Sequence, residues 1–156
     1  MDQAELSIWD GPATMEHFAD IRSVFHAAYP RRSVADHRDL LTRQAASYGF
    51  MACVASVGGR LVGCAYGLPL QLGTLWWRDL SAHLGDDFVW EDGLRTFALL
   101  ELCVSPLAPV ALRAELLRVL LARRRESRVT THSSTAAAVL PWRSCGDDVW
   151  VLALPV

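Results

Sequence analysis

The hydrophobic pattern of the chain is most pronounced between residues 97 and 125. It opens with Phe97–Val104, a run that is apolar except for Glu101, and such a run is typical of a strand buried on both faces. Two prolines then break the run. Residues Ala111–Arg125 follow, with apolar side chains on one helical stripe and charged ones outside it. The pattern predicts a buried strand, a tight loop and an amphipathic helix, whose N-terminus is a place where anions bind.

Upstream of this segment the pattern predicts a short strand, two helices and a β-hairpin. Thr14 is expected to cap the first helix, and Gly58-Gly59 is a strong hairpin signal. The predicted elements are a strand over Glu5–Trp9, a helix from Met15 to Tyr29, a helix from Val34 or Ala35 to Ser47 with Leu40, Leu41 and Ala45 facing inward, and hairpin strands over Met51–Val57 and Leu61–Tyr66.

Downstream of the amphipathic helix the pattern predicts a strand, a short helix and a last hairpin. These are Arg128–His132, Thr135–Leu140, and Trp142–Gly146 with Val149–Leu154, joined by a turn at Gly146-Asp147-Asp148. A chain of 156 residues is long enough for one domain with a full core. We therefore expect a single domain over residues 1–156.

The connection from Gln71 to Arg95 is longer than most connections between elements. It is rich in aromatic residues and contains the pair Trp76-Trp77. Long ordered connections are more often functional than short ones. We predict that this insertion forms a wall or lid of a substrate pocket, with Tyr66, Trp76 and Trp77 among its lining residues, although aromatic residues at this density also serve as core.

Composition narrows the classes of function. Hydrophobic residues make up 52% of the chain and the net charge is −2, which argues against disorder and gives no electrostatic reason to expect nucleic acid as a partner. No apolar run reaches the roughly 18 residues of a membrane span. The four cysteines lack metal-ligand spacing, so we expect no metal and reduced thiols in a cytoplasmic protein. All 15 basic residues are arginine, which we interpret as bacterial codon bias. The sequence leaves open whether the chain forms a homodimer.

The end of the central strand, Glu101-Leu-Cys-Val-Ser-Pro106, resembles the corresponding strand of the GNAT superfamily of N-acetyltransferases. The order of the predicted elements is similar as well. The resemblance implies an α/β fold, with a mixed sheet of six or seven strands flanked by helices. It also implies an enzyme that transfers an acyl group from acetyl-CoA or another acyl-CoA to a small amine or secondary metabolite. Members of the family hold the acyl-CoA in a splayed gap beside the central strand.

The resemblance implies cofactor-binding roles for Leu102 and Val104 on the strand and for Ala114 on the helix. In the family, a loop of the form Arg/Gln-x-x-Gly-x-Gly/Ala cradles the pyrophosphate. Here Pro109 stands at the Arg/Gln position and Leu112 at the first glycine. Proline lacks an N–H donor and leucine fills space that glycine leaves open.

A second departure concerns the family tyrosine that protonates the leaving thiolate. Its Leu-Tyr pair falls near Val139-Leu140, so the tyrosine is missing. The two departures together predict that acyl-CoA use is weakened or lost, and that the pocket is open to chemistry independent of CoA. An ordinary acetyltransferase with an atypical loop and a non-catalytic protein that binds a ligand or partner remain alternatives.

Glu101 is the leading candidate for the catalytic base. A carboxylate alone in an apolar strand has a raised pKa, which suits proton transfer near neutrality. The alternative is a structural pairing with an arginine. His132 is the second candidate, as a base or acid at a strand end, and a polar strand terminus is the plainer interpretation. Cys103 is a candidate pocket residue or nucleophile, although it also suits the core.

Overall fold

The computed structural model describes residues 3–155, and its centre is a seven-stranded mixed sheet. The predicted fold class is therefore confirmed. Neighbouring strands run antiparallel except for the fourth and fifth, which are parallel. In spatial order the strands are β1 (Glu5–Trp9), β2 (Met51–Val57), β3 (Arg60–Pro69), β4 (Thr96–Val104), β5 (Arg128–Thr131), β7 (Val149–Ala153) and β6 (Arg143–Gly146).

Helices cover both faces of the sheet. They are α1 (Gly11–Glu16), α2 (Phe18–Ala28), α3 (Val34–Ala45), α4 (Ser81–Leu84), α5 (Asp86–Val89), α6 (Ala111–Ala122) and α7 (Ser134–Ala137). Buried residues of α2 and α3 pack on one face, and buried leucines of α6 pack on the other. Across residues 3–155, none of the helices has the length and apolar character needed to cross a membrane.

The first predicted helix is two helices, and Thr14 does not cap it. The N-cap of α1 is Asp10, whose side chain accepts a hydrogen bond from the Ala13 N–H at 2.9 Å. Thr14 is buried inside α1, where its hydroxyl donates to the Asp10 carbonyl. The Asp10-Gly-Pro sequence is the start of a helix, because proline is well tolerated in a first helical turn.

Other boundaries differ by a few residues from the predicted ones. The helices α3, α6 and α7 end before their predicted limits, and β5 stops at Thr131 rather than His132. The last hairpin turns through Asp147 and Asp148, both with positive φ (49° and 58°). Two successive positive φ values define the turn type whose twist matches that of a tight hairpin.

An extra residue in β4 decides which face of the sheet Glu101 occupies. Tyr66 of β3 pairs with Glu101, but the next residue, Gly67, pairs with Leu99, so Leu100 is inserted as a β-bulge. Before the bulge, Phe97 and Leu99 face the α6 side of the core; after it, Leu102 and Val104 do so. Strict alternation would have placed Glu101 beside Phe97 and Leu99. The bulge instead turns Glu101 toward α2 and α3.

The insertion between β3 and β4 is fixed to the sheet by a buried ion pair. The Glu91 carboxylate lies 2.9 Å from the Arg128 guanidinium of β5, and both residues are buried. Trp77 Nε1 and the Thr96 hydroxyl each donate to the same Glu91 oxygen at 2.8 Å. The Arg128 guanidinium also lies over the rings of Trp77 and Phe88. The donors all meet Glu91 Oε2, while Oε1 is buried without a hydrogen-bond partner among residues 3–155. Breaking the pair would leave a buried charge unpaired, so it holds α4 and α5 against the end of the sheet.

Because Gly67 sits at the bulge, we predict that Gly67→Ala destabilises the protein. A Cβ at this position would lie 2.1 Å from the Ala98 carbonyl oxygen and 2.7 Å from the Phe97 ring, and backbone cannot move aside as a side chain can. The expected loss is about 1–3 kcal/mol of unfolding free energy, measured by denaturant unfolding. Gly63→Ala on the same strand is the matched control, because a Cβ there meets only side-chain atoms at 3.1 Å or more. Equal losses for the two variants would contradict the prediction.

Candidate functional site

Glu101 is held by residues that follow α2. The Tyr29 hydroxyl, at the C-cap of α2, donates to Glu101 Oε1 at 2.9 Å. Arg32 Nη1 lies 3.6 Å from the other carboxylate oxygen, and its guanidinium is stacked over the Tyr29 ring at 4.1 Å. The Glu101 side chain retains 13% exposure. This carboxylate is thus oriented by two partners and still reaches solvent through a small opening.

Burial raises the pKa of Glu101 above its usual range, and the hydrogen bond from Tyr29 and the charge of Arg32 offset part of that rise. Burial also raises the pKa of Tyr29 to about 12, with the neighbouring Glu101 carboxylate adding to the effect. The tyrosine is therefore protonated across the physiological range. The arrangement combines a carboxylate that exchanges protons readily with a hydroxyl that holds its proton.

A cavity of about 300 Å³ lies in front of Glu101, between β4 and the helices α2 and α3. Its lining combines apolar side chains with groups of both charges. The residues are Phe25, Arg32, Ser33, Asp36, His37, Leu40, Gln44, Tyr66, Leu100 and Glu101. A concave site with a few convergent polar groups is the usual form of a small-molecule pocket.

His37 and Tyr66 form a buried pair in the wall of this cavity. His37 Nε2 lies 3.2 Å from the Tyr66 hydroxyl, and the imidazole is stacked on the Phe25 ring at 3.6 Å. Burial, together with the nearby positive charge of Arg32, lowers the pKa of His37 to about 4. Burial raises the pKa of Tyr66 well above its usual value. Both side chains are neutral, so the tautomer of the imidazole decides which of the two donates, and His37 Nδ1 is buried without a hydrogen-bond partner among the described residues.

Tyr29 also closes the edge of β4 that faces β5. The two strands pair only from Thr96 to Leu99, so β4 extends beyond the end of β5. The Ser105 N–H points to Val62 of β3, and peptide groups alternate along a strand, so the Leu102 carbonyl points to the β5 side. The Tyr29 hydroxyl lies 3.3 Å from that carbonyl.

The first turn of α7 completes this closure, because the Thr135 side chain forms a hydrogen bond with Tyr29. That bond lowers the pKa of Tyr29, against the effect of burial. Tyr29 therefore links β4 to α7 across the place where the two strands separate.

In the loop between β4 and α6, some of the backbone N–H groups are already hydrogen-bonded to carbonyl groups of the same loop. The Ala108 N–H bonds to the Ser105 carbonyl and the Leu112 N–H to the Pro109 carbonyl. Val110 is the N-cap of α6, and its side chain offers no hydrogen-bond acceptor. Leu107 and Val110 are 96% and 83% exposed. The Leu112 side chain is buried in the core beside Leu116, so it points away from the outer surface of the loop.

A larger and mainly apolar cavity of about 700 Å³ lies beside this loop. It is bounded by α2, by the hairpin end of β2 and β3, and by the start of α6. Arg60 and Glu115 are the charged residues in its lining. Neither residues of β5 nor residues of α7 contribute, so this cavity is separate from the closed edge of β4.

The other predicted site residues lie apart from the cavity in front of Glu101. Cys103 is 1% exposed, and its Sγ lies 3.7 Å from Cys64 Sγ; that hydrogen bond and burial raise its pKa, so it is a neutral core thiol. Trp77 is buried with Glu91. Trp76 donates to the Thr130 hydroxyl and touches the exposed ring of His132.

Neither of the two cavities described here is lined by Cys103, Trp76, Trp77 or His132. Val104 is buried and Ala114 is half-buried on α6. Catalysis by His132 and a pocket wall formed by the insertion stay predictions. Within residues 3–155, no group of three His, Cys, Asp or Glu side chains is placed to hold a metal ion.

Three residues of the site were missed by the sequence patterns: Tyr29, which donates to Glu101, and Arg32 and His37, which line the cavity. A signal existed for His37, which lies four residues before Leu41 and eight before Ala45, both buried. That spacing marks the inner stripe of a helix. Leu40, expected to face inward, is 46% exposed and lines the cavity.

Solved structures with a similar fold include acetyltransferases. A GNAT family acetyltransferase from Brucella melitensis in complex with acetyl-CoA superposes with a TM-score of 0.66 at 16% identity, covering 100% of this chain and 91% of the other. The aminoglycoside 6′-acetyltransferase type Ii gives 0.65 at 12% identity, covering 97% and 99%. The loading GNATL domain of CurA from Lyngbya majuscula gives 0.54 at 13% identity; the match covers 83% of this chain and 64% of that domain's length.

The chain thus has the fold of the GNAT acetyltransferases. No protein-family model and no curated protein sequence matches it. At identities this low the superpositions establish the fold, while the activity must be argued from the site itself.

The buried imidazole of His37 predicts that the stability of the fold depends on pH in the acid range. Unfolded, His37 takes up a proton near pH 6.5, whereas in the fold it does so near pH 4. The unfolded chain therefore binds more protons between these values, and stability falls as the pH falls through that window. The loss attributable to His37 is on the order of 3 kcal/mol.

Denaturant unfolding of the wild type and of His37→Gln between pH 7 and pH 4 measures this loss. The variant should lose less stability than the wild type over the same range. His26→Gln, an exposed histidine on α2, serves as the control and should behave as the wild type does. Parallel pH profiles for the wild type and His37→Gln would contradict the assignment.

Proposed function

We propose that this protein is an acyltransferase-like enzyme that acts on a small amine, with Glu101 as the proton acceptor. The observation that carries the proposal is the position of Glu101. The β4 bulge brings its carboxylate to the inner end of a small cavity, where burial raises its pKa and Tyr29 orients it. A general base must combine correct geometry with a pKa close to the working pH. The GNAT fold raises the prior for acyl transfer by analogy.

In the proposed reaction an amine enters the cavity and gives a proton to Glu101 as its nitrogen attacks an acyl group. An acyl-CoA, when bound, would supply that acyl group: its carbon–sulfur bond would break as the carbon–nitrogen bond forms, and CoA would leave as a thiolate that takes a proton from solvent. Tyr29 keeps its proton, since its pKa is about 12, and donates a hydrogen bond at the strand edge beside the reacting nitrogen. Arg32 stabilises the ionised form of Glu101. Turnover should therefore fall as the pH drops through the raised pKa of Glu101.

We infer that acyl-CoA is bound more weakly than in an ordinary member of the fold. Pro109 supplies no N–H, and the N–H groups of Ala108 and Leu112 are already bonded within the loop. The exposed side chains of the loop, Leu107 and Val110, are apolar. A phosphate at this helix end would thus find few free donors. The Leu102 carbonyl, on the edge where family members hold the cofactor, already accepts from Tyr29.

Glu101→Gln tests the catalytic assignment. Glutamine keeps the shape and can still accept the Tyr29 hydrogen bond, but it cannot take up a proton. The partner Arg32 is 58% exposed, so the lost ion pair costs little stability. We expect turnover to fall at least about 100-fold and the thermal midpoint to change by less than about 4 °C.

Both quantities are measured on the same preparation, with Glu16→Gln on α1 as the control because Glu16 is exposed. A destabilised but active Glu101→Gln protein would exclude the catalytic role. His132 would then become the leading candidate.

Calorimetric titration with acetyl-CoA tests the weakened cofactor site. We expect a dissociation constant well above the low micromolar range. Leu112→Gly should not restore affinity, because the Leu112 side chain packs in the core and Pro109 still lacks its N–H. A wild-type dissociation constant in the low micromolar range or below would refute the prediction.

A second candidate function is a non-catalytic protein that binds the same small molecule. The closure of the β4 edge by Tyr29 and Thr135 favours it. One outcome distinguishes this function from the enzyme. A non-catalytic protein would bind the ligand but form no product at saturating acetyl-CoA.

A further inference from the structure

We propose that the amine recognised by this cavity is an α-amino acid with an apolar side chain, whose amine meets Glu101 and whose carboxylate meets Arg32. The inference deepens the proposed function and rests on it for the reaction, but not for the binding. It is carried by the pairing of opposite charges in the lining of the cavity and by the apolar side chains that share that lining.

Glu101 and Arg32 present a matched pair of charges at close range. Their nearest atoms, Oε2 and Nη1, lie 3.6 Å apart, which is close to the separation of the amine and a carboxylate oxygen in an α-amino acid. At this distance the contact is a long one, so a zwitterion lying beside the pair would add two shorter charge-assisted hydrogen bonds. A simple amine would satisfy Glu101 and leave Arg32 without a new partner.

The Arg32 guanidinium is well suited to a carboxylate. Its carbon lies 4.1 Å from the centroid of the Tyr29 ring and 5.9 Å from that of Phe25, so two aromatic rings attract the group and limit its movement. The side chain is 58% exposed, and the ion pair with Glu101 engages only one of its nitrogens. A planar guanidinium with free donors in a fixed fork binds carboxylates in bidentate fashion.

Part of the remaining surface of the cavity is apolar, and the cavity is small. Phe25, Leu40 and Leu100 line it, and Leu40 is 46% exposed despite being a large hydrophobic residue. An apolar substrate side chain would cover Leu40. The volume of about 300 Å³ lies at the lower limit for ligand pockets, which suits an amino acid better than an oligosaccharide. The second acid of the lining, Asp36, adds attraction for the ammonium group.

The test measures binding without any acyl donor. L-alanine, L-valine, L-leucine and L-phenylalanine are each compared with the corresponding decarboxylated amine and the carboxamide, by calorimetry or by ligand-observed NMR. At least one amino acid should bind at least tenfold more tightly than its amine and its amide. Arg32→Gln should abolish that preference, and Arg32→Lys should retain part of it. Arg31→Gln, the adjacent exposed arginine, should leave it unchanged.

Thermal unfolding of each variant shows whether the fold is kept, which the exposure of Arg32 leads us to expect. The proposal is overturned if no amino acid binds more tightly than its amine, or if the preference survives in Arg32→Gln. Turnover with acetyl-CoA is then measured separately. Binding of an amino acid without its acylation would contradict the proposed function and leave this inference standing. Acylation of amines with no preference for a carboxylate would overturn this inference alone.

Discussion

The β-bulge at Leu100 is the constraint on which the rest of the site depends. One extra residue in β4 reverses the alternation of the strand and moves Glu101 from the α6 side of the core to the side of α2 and α3. The close approach of β3 that accommodates the bulge needs a residue without Cβ, which is Gly67. Without the bulge, the carboxylate would be buried among Phe97 and Leu99, where an ionised group is severely destabilised.

The placement of Glu101 on the other face balances two opposing effects. Burial disfavours the ionised carboxylate, whereas the Tyr29 hydrogen bond and the Arg32 charge favour it. Neither effect removes the other, so the group stays able to exchange a proton. A fully exposed carboxylate would be too weak a base, and a fully buried one would remain protonated. The partial exposure of Glu101 therefore supports the proposed role as a base over that of a structural ion pair.

The hydrophobic pattern was sufficient to predict the strands, the hairpins and α6, because the strands form apolar runs bounded by turn residues and α6 has one apolar stripe. It could not reveal the bulge, since an extra apolar residue in an apolar run leaves no trace in the pattern. Glu101 was identified because a charge in such a run is anomalous. Tyr29 and Arg32 were missed because they lie about 70 residues away in sequence, and only the packing of α2 on β4 brings them to Glu101.

Tyr29 couples the two halves of the proposed reaction, because one hydroxyl contacts both Glu101 and the Leu102 carbonyl. An acyl donor held along the β4 edge would have to displace it from that carbonyl. Breaking one neutral hydrogen bond of this kind costs about 0.5–1.5 kcal/mol, or roughly a twofold to twelvefold loss of affinity. That penalty alone would not abolish cofactor binding. A larger loss must arise at the loop before α6, where proline and bonded N–H groups reduce the donors available to a phosphate. In the proposed reaction, the N–H donors of the loop therefore determine whether acyl-CoA binds. Tyr29 limits how closely a bound acyl group could approach Glu101.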